Sequence, residues 1–407
     1  MRYLEKEMLS IWEEGNKMVF LAGPRQVGKT TLATSLLANK DHYFNWDVDT
    51  QRAQILKEKE KFFRLLPPAA KGKKLRLVLD EIHKYPRWKR FLKGLWDAHR
   101  AELELLVTGS GRLNIYQKGG DSLFGRYALF RLAPFTAGEL LKKNAQKLAA
   151  PDAFLDHILH SKQSGAEEAL QLVERWTGFP EPLFAQSQKQ FVRWRRARRE
   201  LVFKEDLRDL TLIRDLGLVE QMTSLLPARV GSLLSINSLR EDVGVAYTTA
   251  QGWLQALERL YYHIELRPYA GTLTRTLKRE GKIYLFDPSE LENVGAKFEN
   301  VVALHLQKIV DAWNDCGEGD FALHFVRDKE KREVDFLIVR DRKPWLLVEC
   351  KTSDTNLDPS LSYFHERLKP KLSVQLVRNG TGDKRASLRQ AKPGIWIVPA
   401  ADFLGWC

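Results

Sequence analysis

Three groups of residues in this sequence have the types and spacing to do chemistry. The first is the run Gly23-Pro24-Arg25-Gln26-Val27-Gly28-Lys29-Thr30, which follows a short apolar stretch, KMVFLA, and precedes a helix-forming one, TLATSLLANK. Strand, glycine-rich loop and helix in that order make a phosphate cradle. Gly23 and Gly28 let the loop wrap the anion, and the N–H groups of Val27 through Thr31 face it from the start of the helix. Lys29 then bridges β- and γ-phosphates, and the Thr30 hydroxyl is offered to Mg2+. The second group is LRLVLDE at 75–81, an apolar strand ending in two carboxylates. Asp80 suits the same metal ion and Glu81 suits polarising an attacking water. The third is Glu299 in GAKFENVVALHLQKIVDAW, Asp335 in REVDFLIVR, and Glu349 with Lys351 in WLLVECK. Because side chains alternate along a strand, Glu349 and Lys351 share one face while Cys350 points to the other. Carboxylates from a helix and two strands beside a lysine suit a divalent metal and an activated water, with Asp335 and Glu349 as the expected ligands.

The first two groups need a sheet to bring them together. Apolar runs at 43–48, 75–80, 104–109 and 127–132, separated by helical stretches, predict a parallel sheet with ATP and Mg2+ at its carboxyl edge. The run LELLVTGS ends beside the loop, so Thr108 or Ser110 is the candidate γ-phosphate sensor. Arg112 and Arg126 follow it, and either serves as an arginine finger, in cis or from a second copy, or else pairs with a surface acid. His83 is expected to be a structural histidine.

Beyond that sheet the chain changes character. Residues 134–200 are mostly helix-forming, broken by WTGFPEP at 176–182. The segment from Lys189 to Leu210 spaces Phe191, Trp194 and Leu201 along one face and crowds Arg193, Arg195, Arg196, Arg198 and Arg199 around it. Such a helix holds nucleic-acid phosphates or forms a solvated, salt-bridged face. From Leu212 to Pro288 the pattern predicts a winged helix-turn-helix. Its helices are 237–242 and one from Tyr247, Gly244 makes the turn, the small core is Leu239, Val243, Val245, Trp253 and Leu257, and the wing is formed by YYHIELRPY and KIYLFD. The second helix has no Lys or Arg before Arg259; the charge sits on the wing at Arg275, Lys278, Arg279 and Lys282. Phosphate contact by the wing is therefore favoured over base readout, with a protein-contacting role as the alternative.

Composition bounds the rest. The chain has 407 residues, enough for several cores, with a formal net charge of +13 and a pI near 9.5, which favours a polyanionic partner. Cys316, Cys350 and Cys407 are odd in number and far apart, so neither a disulfide framework nor a zinc site is indicated. Without a signal peptide or membrane-length apolar run, the expected location is cytoplasmic, with no membrane partner.

Taken together, GPRQVGKT, LVLDEIHKYP, LLVTGS, GRYALFRLAPFTAGEL, the WTGFPEP loop, GAKFENVVALHL and REVDFLIV with LVECKTS resemble, over nearly the whole chain, one family. It comprises the bacterial and archaeal AAA+ type ATPases carrying a C-terminal domain related to restriction-like, PD-(D/E)xK nucleases. The resemblance implies an α/β fold in four parts. These are an AAA+ core at 1–140, a helical lid at 141–211, the winged helix at 212–290 and a nuclease-like α/β domain at 291–407. It implies that Gly178 and Pro180 lie near the nucleotide and that Arg126 is the arginine of the family's loop. The expected activity is ATP hydrolysis by a DNA-associated motor or switch, forming homo-oligomers. The alternatives are a nucleotide-controlled signalling scaffold with a protein partner, and an ATP-regulated, metal-dependent nuclease.

Overall fold

A computed structural model describes residues 2–15, 17–57, 61–110, 123–141, 149–207, 215–270, 280–378 and 387–407. The chain divides after Ala133 into two compact units. Arg112, Arg275, Lys278 and Arg279 lie outside the described residues.

The first unit is built on five parallel strands: β1 (Met18–Ala22), β2 (Tyr43–Asn45), β3 (Leu75–Asp80), β4 (Leu103–Gly109) and β5 (Tyr127–Arg131), in the order β2-β3-β4-β1-β5. β1, β3 and β4 read as near-continuous apolar runs because both faces of a parallel sheet are covered. On one face Met18, Phe20, Leu77, Leu79, Leu105 and Val107 are buried in one core with Trp88, Leu92 and Trp96 of the helix Trp88–His99. β4 lies between β1 and β3, so Thr108 stands in register with Asp80 and Gly109 with Ala22. β2 is shorter than its apolar run. Asn45 Oδ1 accepts the Asp47 N–H at 2.9 Å, which turns the chain out of the strand.

The second unit carries an eight-stranded mixed sheet. Its strands are β6 (His263–Pro268), β7 (Lys282–Leu285), β8 (Phe321–Arg327), β9 (Glu333–Arg340), β10 (Lys343–Lys351), β11 (Leu372–Val377), β12 (Arg389–Lys392) and β13 (Ile395–Pro399), ordered β12-β13-β11-β10-β9-β8-β6-β7. The helix-turn-helix forms as read: Ile236–Val243, a turn with Gly244 at φ 77°, and Tyr247–Arg259, with Leu239, Val243, Trp253 and Leu257 buried. Its hairpin, however, is part of the large sheet, since β6 pairs with β8 in parallel at Arg267 and Pro268. The winged-helix residues and those after 291 share one apolar core, in which Leu239, Leu257 and Tyr284 join Phe298, Val302 and Phe336. Of the boundaries expected near 140, 212 and 291, the first lies close to the division after Ala133, and the other two fall inside the second unit. At the first of them, Pro134–Leu141 is held inside the second unit from three sides. Phe135 N–H donates to Gly178 O at 2.7 Å, Ala137 N–H to His305 Nε2 at 3.0 Å, and Thr136 Oγ1 to Cys407 O at 2.7 Å. Lys308 of the long helix Val294–Asp315 closes the same clasp, its ammonium 2.9 Å from Glu139.

Candidate functional site

The glycine-rich loop leaves β1 at Ala22 and enters the helix Lys29–Ser35. A Cβ on Gly23 would run into the carbonyl of Leu132, and Gly28 holds φ 95°, a left-handed conformation that side chains resist. Both positions thus require glycine. Arg2 supports the loop from outside, donating to Val27 O at 3.3 Å and to Ala133 O at 2.5 Å. Val27 is buried, while Thr30 and Thr31 face solvent. The Lys29 ammonium is folded onto its own loop, donating to Gly23 O at 3.0 Å and Pro24 O at 2.7 Å.

Asp80, at the end of β3, is buried and surrounded by hydroxyls. Thr30 Oγ1 and Tyr43 OH both donate to Oδ2 at 2.8 Å, and Thr108 Oγ1 donates to Oδ1. Burial, and then the neighbouring Asp80 carboxylate, push the Tyr43 phenol above its ordinary range, so it stays a donor. Thr108 therefore orients Asp80, and Ser110 is buried one residue past the strand end. Tyr43 was not anticipated from sequence. Its one signal is its place on the strand flanking the acidic one.

Glu81 follows in a left-handed conformation, φ 57°, which turns it out of the strand. Its Oε2 is buried and takes no hydrogen bond among the described residues, with His83 Nε2 at 3.6 Å and Lys84 Nζ at 3.7 Å. Burial raises its pKa while Lys29 and Lys84 pull it back. A buried carboxylate oxygen without a donor, next to a hydroxyl-ringed aspartate and a glycine cradle, fits a bound phosphate, a Mg2+ ion and an attacking water. Arg126 lies at the start of β5 and pairs with Asp97 at 2.9 Å on the protein surface. This is the surface-acid pairing left open by the sequence, so a finger role for Arg126 requires that pair to break.

In the second unit, the third group also assembles, around a residue that the sequence places elsewhere. Lys282 is the first residue of β7, and its ammonium is buried rather than presented on a wing. It stands 2.6 Å from Glu333, 3.5 Å from Glu299 and 3.8 Å from Asp335. Burial alone would depress its pKa, but those carboxylates together outweigh burial and hold it above the usual lysine range. The acids are already engaged. Tyr284 OH donates to Glu299 Oε1 at 2.7 Å, Cys350 N–H to Asp335 Oδ2 at 2.9 Å, and Lys351 Nζ to Glu349 Oε1 at 2.8 Å. Lys351 also reaches Asp358 at 2.7 Å. Burial, reinforced by Asp335, pushes Glu299 up to about 7 and Glu349 up to about 8. Among the described residues no group of three His, Cys, Asp or Glu side chains is arranged to hold one metal ion. The expected ligands Asp335 and Glu349 are adjacent, yet the arrangement does not fit a divalent cation. The Lys282 ammonium, which has no lone pair to share, stands among Glu299, Glu333 and Asp335, and that of Lys351 stands against Glu349.

Of the five arginines on the basic helix Gln188–Glu200, four are exposed; Arg198 is buried, its guanidinium 3.9 Å over the ring of Phe179.

Residues 15–141 match an AAA domain family. Residues 171–296 and 294–403 match two families described as domains of unknown function, DUF8612 and DUF4143. An uncharacterized protein of Mycobacterium tuberculosis is 22% identical over 355 residues, covering 84% of this chain and 72% of that one. An uncharacterized protein of Methanocaldococcus jannaschii is 22% identical over 409 residues, covering 94% and 87%. Among solved structures, the Aeropyrum pernix Orc1 protein in complex with DNA aligns over 74% of this chain and 93% of its own at 14% identity, with a TM-score of 0.31. That likeness is too loose to bear on fold or function. Residues 15–141 are thus a P-loop ATPase domain of the AAA type, and no helix among the described residues is long and apolar enough to cross a membrane.

Proposed function

We propose that the chain hydrolyses ATP in its first unit and uses the cycle to switch a second unit that associates with DNA. The observation that carries hydrolysis, beyond binding, is the pair at the end of β3: Asp80 held by three hydroxyls, and Glu81 turned away from it with a buried, donor-free oxygen. The loop amides and Lys29 bind and orient the phosphates. Thr30 and Asp80 would hold Mg2+, which supplies charge neutralisation at the phosphates when bound. Glu81 orients a water and takes its proton as the water oxygen bonds to the γ-phosphorus; the bond to the bridging oxygen breaks, giving ADP and phosphate. Burial of Glu81 suits this, because it raises the basicity of the carboxylate while Lys29 and Lys84 oppose that rise.

Association with DNA is supported by the net charge of +13 and by Arg193, Arg195, Arg196 and Arg199, exposed along one helix. A second reading, a switch that contacts a protein partner, is favoured by Lys282. Its burial removes a cation from the expected wing, and the helix Tyr247–Arg259 has no Lys or Arg before its last residue. Either reading admits self-association. ATP hydrolysis measured with single-stranded, duplex and branched DNA, at two salt concentrations and beside Lys29→Ala, separates them. Salt-sensitive stimulation by DNA is expected; Lys29-dependent turnover indifferent to every DNA would replace DNA with a protein partner.

A further inference from the structure

The acids that a metal-dependent nuclease would use surround an amine of this same chain. We infer that Lys282 is the permanent cation beside Glu299 and Asp335, as Lys351 is beside Glu349, and that this constellation therefore takes no divalent metal and does not cleave phosphodiesters. Position supports this first. The ammonium contacts Glu333 and lies within 4 Å of both Glu299 and Asp335, where an ion shared between the helix and β9 would have to stand. A dication entering beside it would meet a like charge in a medium that screens poorly. The second support is engagement. Tyr284 holds one oxygen of Glu299, the Cys350 amide one of Asp335 and Lys351 one of Glu349, so an ion drawing on those oxygens would compete with hydrogen bonds made by the fold.

The third support is how firmly Lys282 is fixed. It begins β7, the edge strand, and three residues on, the Leu285 N–H donates to Asn300 Oδ1 at 2.7 Å while Asn300 Nδ2 donates to Leu285 O at 2.8 Å. Asn300 is fully buried and lies next to Glu299 on the long helix. Gly231, at φ 75°, brings its backbone so close to the Glu299 carboxylate that a Cβ there would press on it. The edge strand and the helix are thus pinned together side by side, and the amine cannot leave the acids without unpinning them. The cluster acts as a charge lock that joins the hairpin to the C-terminal sheet, a role in fastening rather than in catalysis.

The test uses the full chain carrying Asp80→Asn, so that the ATPase site contributes no ion binding, and Mn2+ as the probe, read by the loss of its free paramagnetic resonance signal and by melting temperature. Expected is no stoichiometric binding below millimolar Mn2+ and no change in melting temperature. One bound Mn2+ that disappears on adding Asp335→Asn would overturn the inference. A second measurement reads the lock itself. Lys282→Met is expected to lower the melting temperature by roughly ten degrees or more, since it strands buried charge. Pairing it with Glu333→Gln, which removes the acid nearest the amine, is expected to recover at least about half of that loss. If Lys282→Met does not fold, the double variant still reports, and failure to recover would show that Lys282 fills space without neutralising the acids.

Discussion

Both units gather carboxylates beside their sheets, and they surround them with opposite kinds of donor. Asp80 is ringed by hydroxyls from Thr30, Tyr43 and Thr108, which are neutral and can turn their lone pairs to an arriving ion. Glu299, Asp335 and Glu349 are ringed by the ammoniums of Lys282 and Lys351, a phenol and an amide, and the ammoniums have no lone pair to turn. A hydroxyl neighbour keeps a site open to a cation, and an ammonium neighbour closes it. The lesson is that a set of acids in the right order does not define a metal centre; the groups around the acids decide.

The sharpest contrast should appear in turnover. Glu81→Gln is expected to slow phosphate release by about 10²–10⁴-fold while nucleotide binding survives. Asp335→Asn is expected to leave hydrolysis unchanged. Steady-state phosphate release beside binding of a fluorescent nucleotide measures both, and an equal loss in the two variants would erase the contrast.

A matched pair of smaller changes probes the donors directly. Thr108→Val and Tyr284→Phe each remove one hydroxyl from a buried carboxylate, and each should cost about 1–3 kcal/mol in denaturant unfolding. Mg2+ with nucleotide should restore part of the loss in Thr108→Val and none in Tyr284→Phe. Restoration of both by Mg2+ would mean that the second cluster is open after all.

The two regions should also differ in pH response. Glu299 and Glu349 are raised in the folded chain above their ordinary value, so the folded state binds more protons than the unfolded one. Their contribution is fully present below about pH 4.5 and is lost as pH rises through about 7 and 8. Melting temperature should therefore fall between pH 5 and 8.5, and Glu349→Gln should flatten the decline. An unchanged slope in that variant would assign the pH dependence to other groups.

The smallest effect is expected at Arg126. Its pair with Asp97 is exposed, so Arg126→Ala should leave melting unchanged. Hydrolysis at dilute protein should also hold; a loss of turnover that grows with protein concentration would restore the finger acting between copies.

What the sequence disclosed, and what it hid, follows the same division. Gly23 to Thr30 and Asp80 to Glu81 are legible because their chemistry is written in adjacent residues, and the flanking apolar runs fix them at the ends of strands. The helix-turn-helix was equally plain, since Gly244 and the buried stripe are local. Lys282 was misread as a wing cation because its partners, Glu299, Glu333 and Asp335, are 17 to 53 residues further along, and only the pairing of β6 with β8 brings that hairpin to them. The core that runs across the boundaries expected near 212 and 291 is hidden for the same reason. A composition change marks where a motif ends, but Tyr284 and Phe298 share a core that no local pattern announces. Tyr43 sits between the two cases, on a strand that was recognised but with a side chain whose target lies 37 residues on.

The bond from Tyr43 to Asp80 also gives the ATPase site a built-in optical reporter. A phenol donating to a carboxylate absorbs at longer wavelength than one released from it, so an ion that draws Asp80 away should blue-shift one tyrosine band. Difference absorbance, with Tyr43→Phe as the blank, would then follow occupancy of the site in the unlabelled protein, on the timescale of mixing and without waiting for turnover.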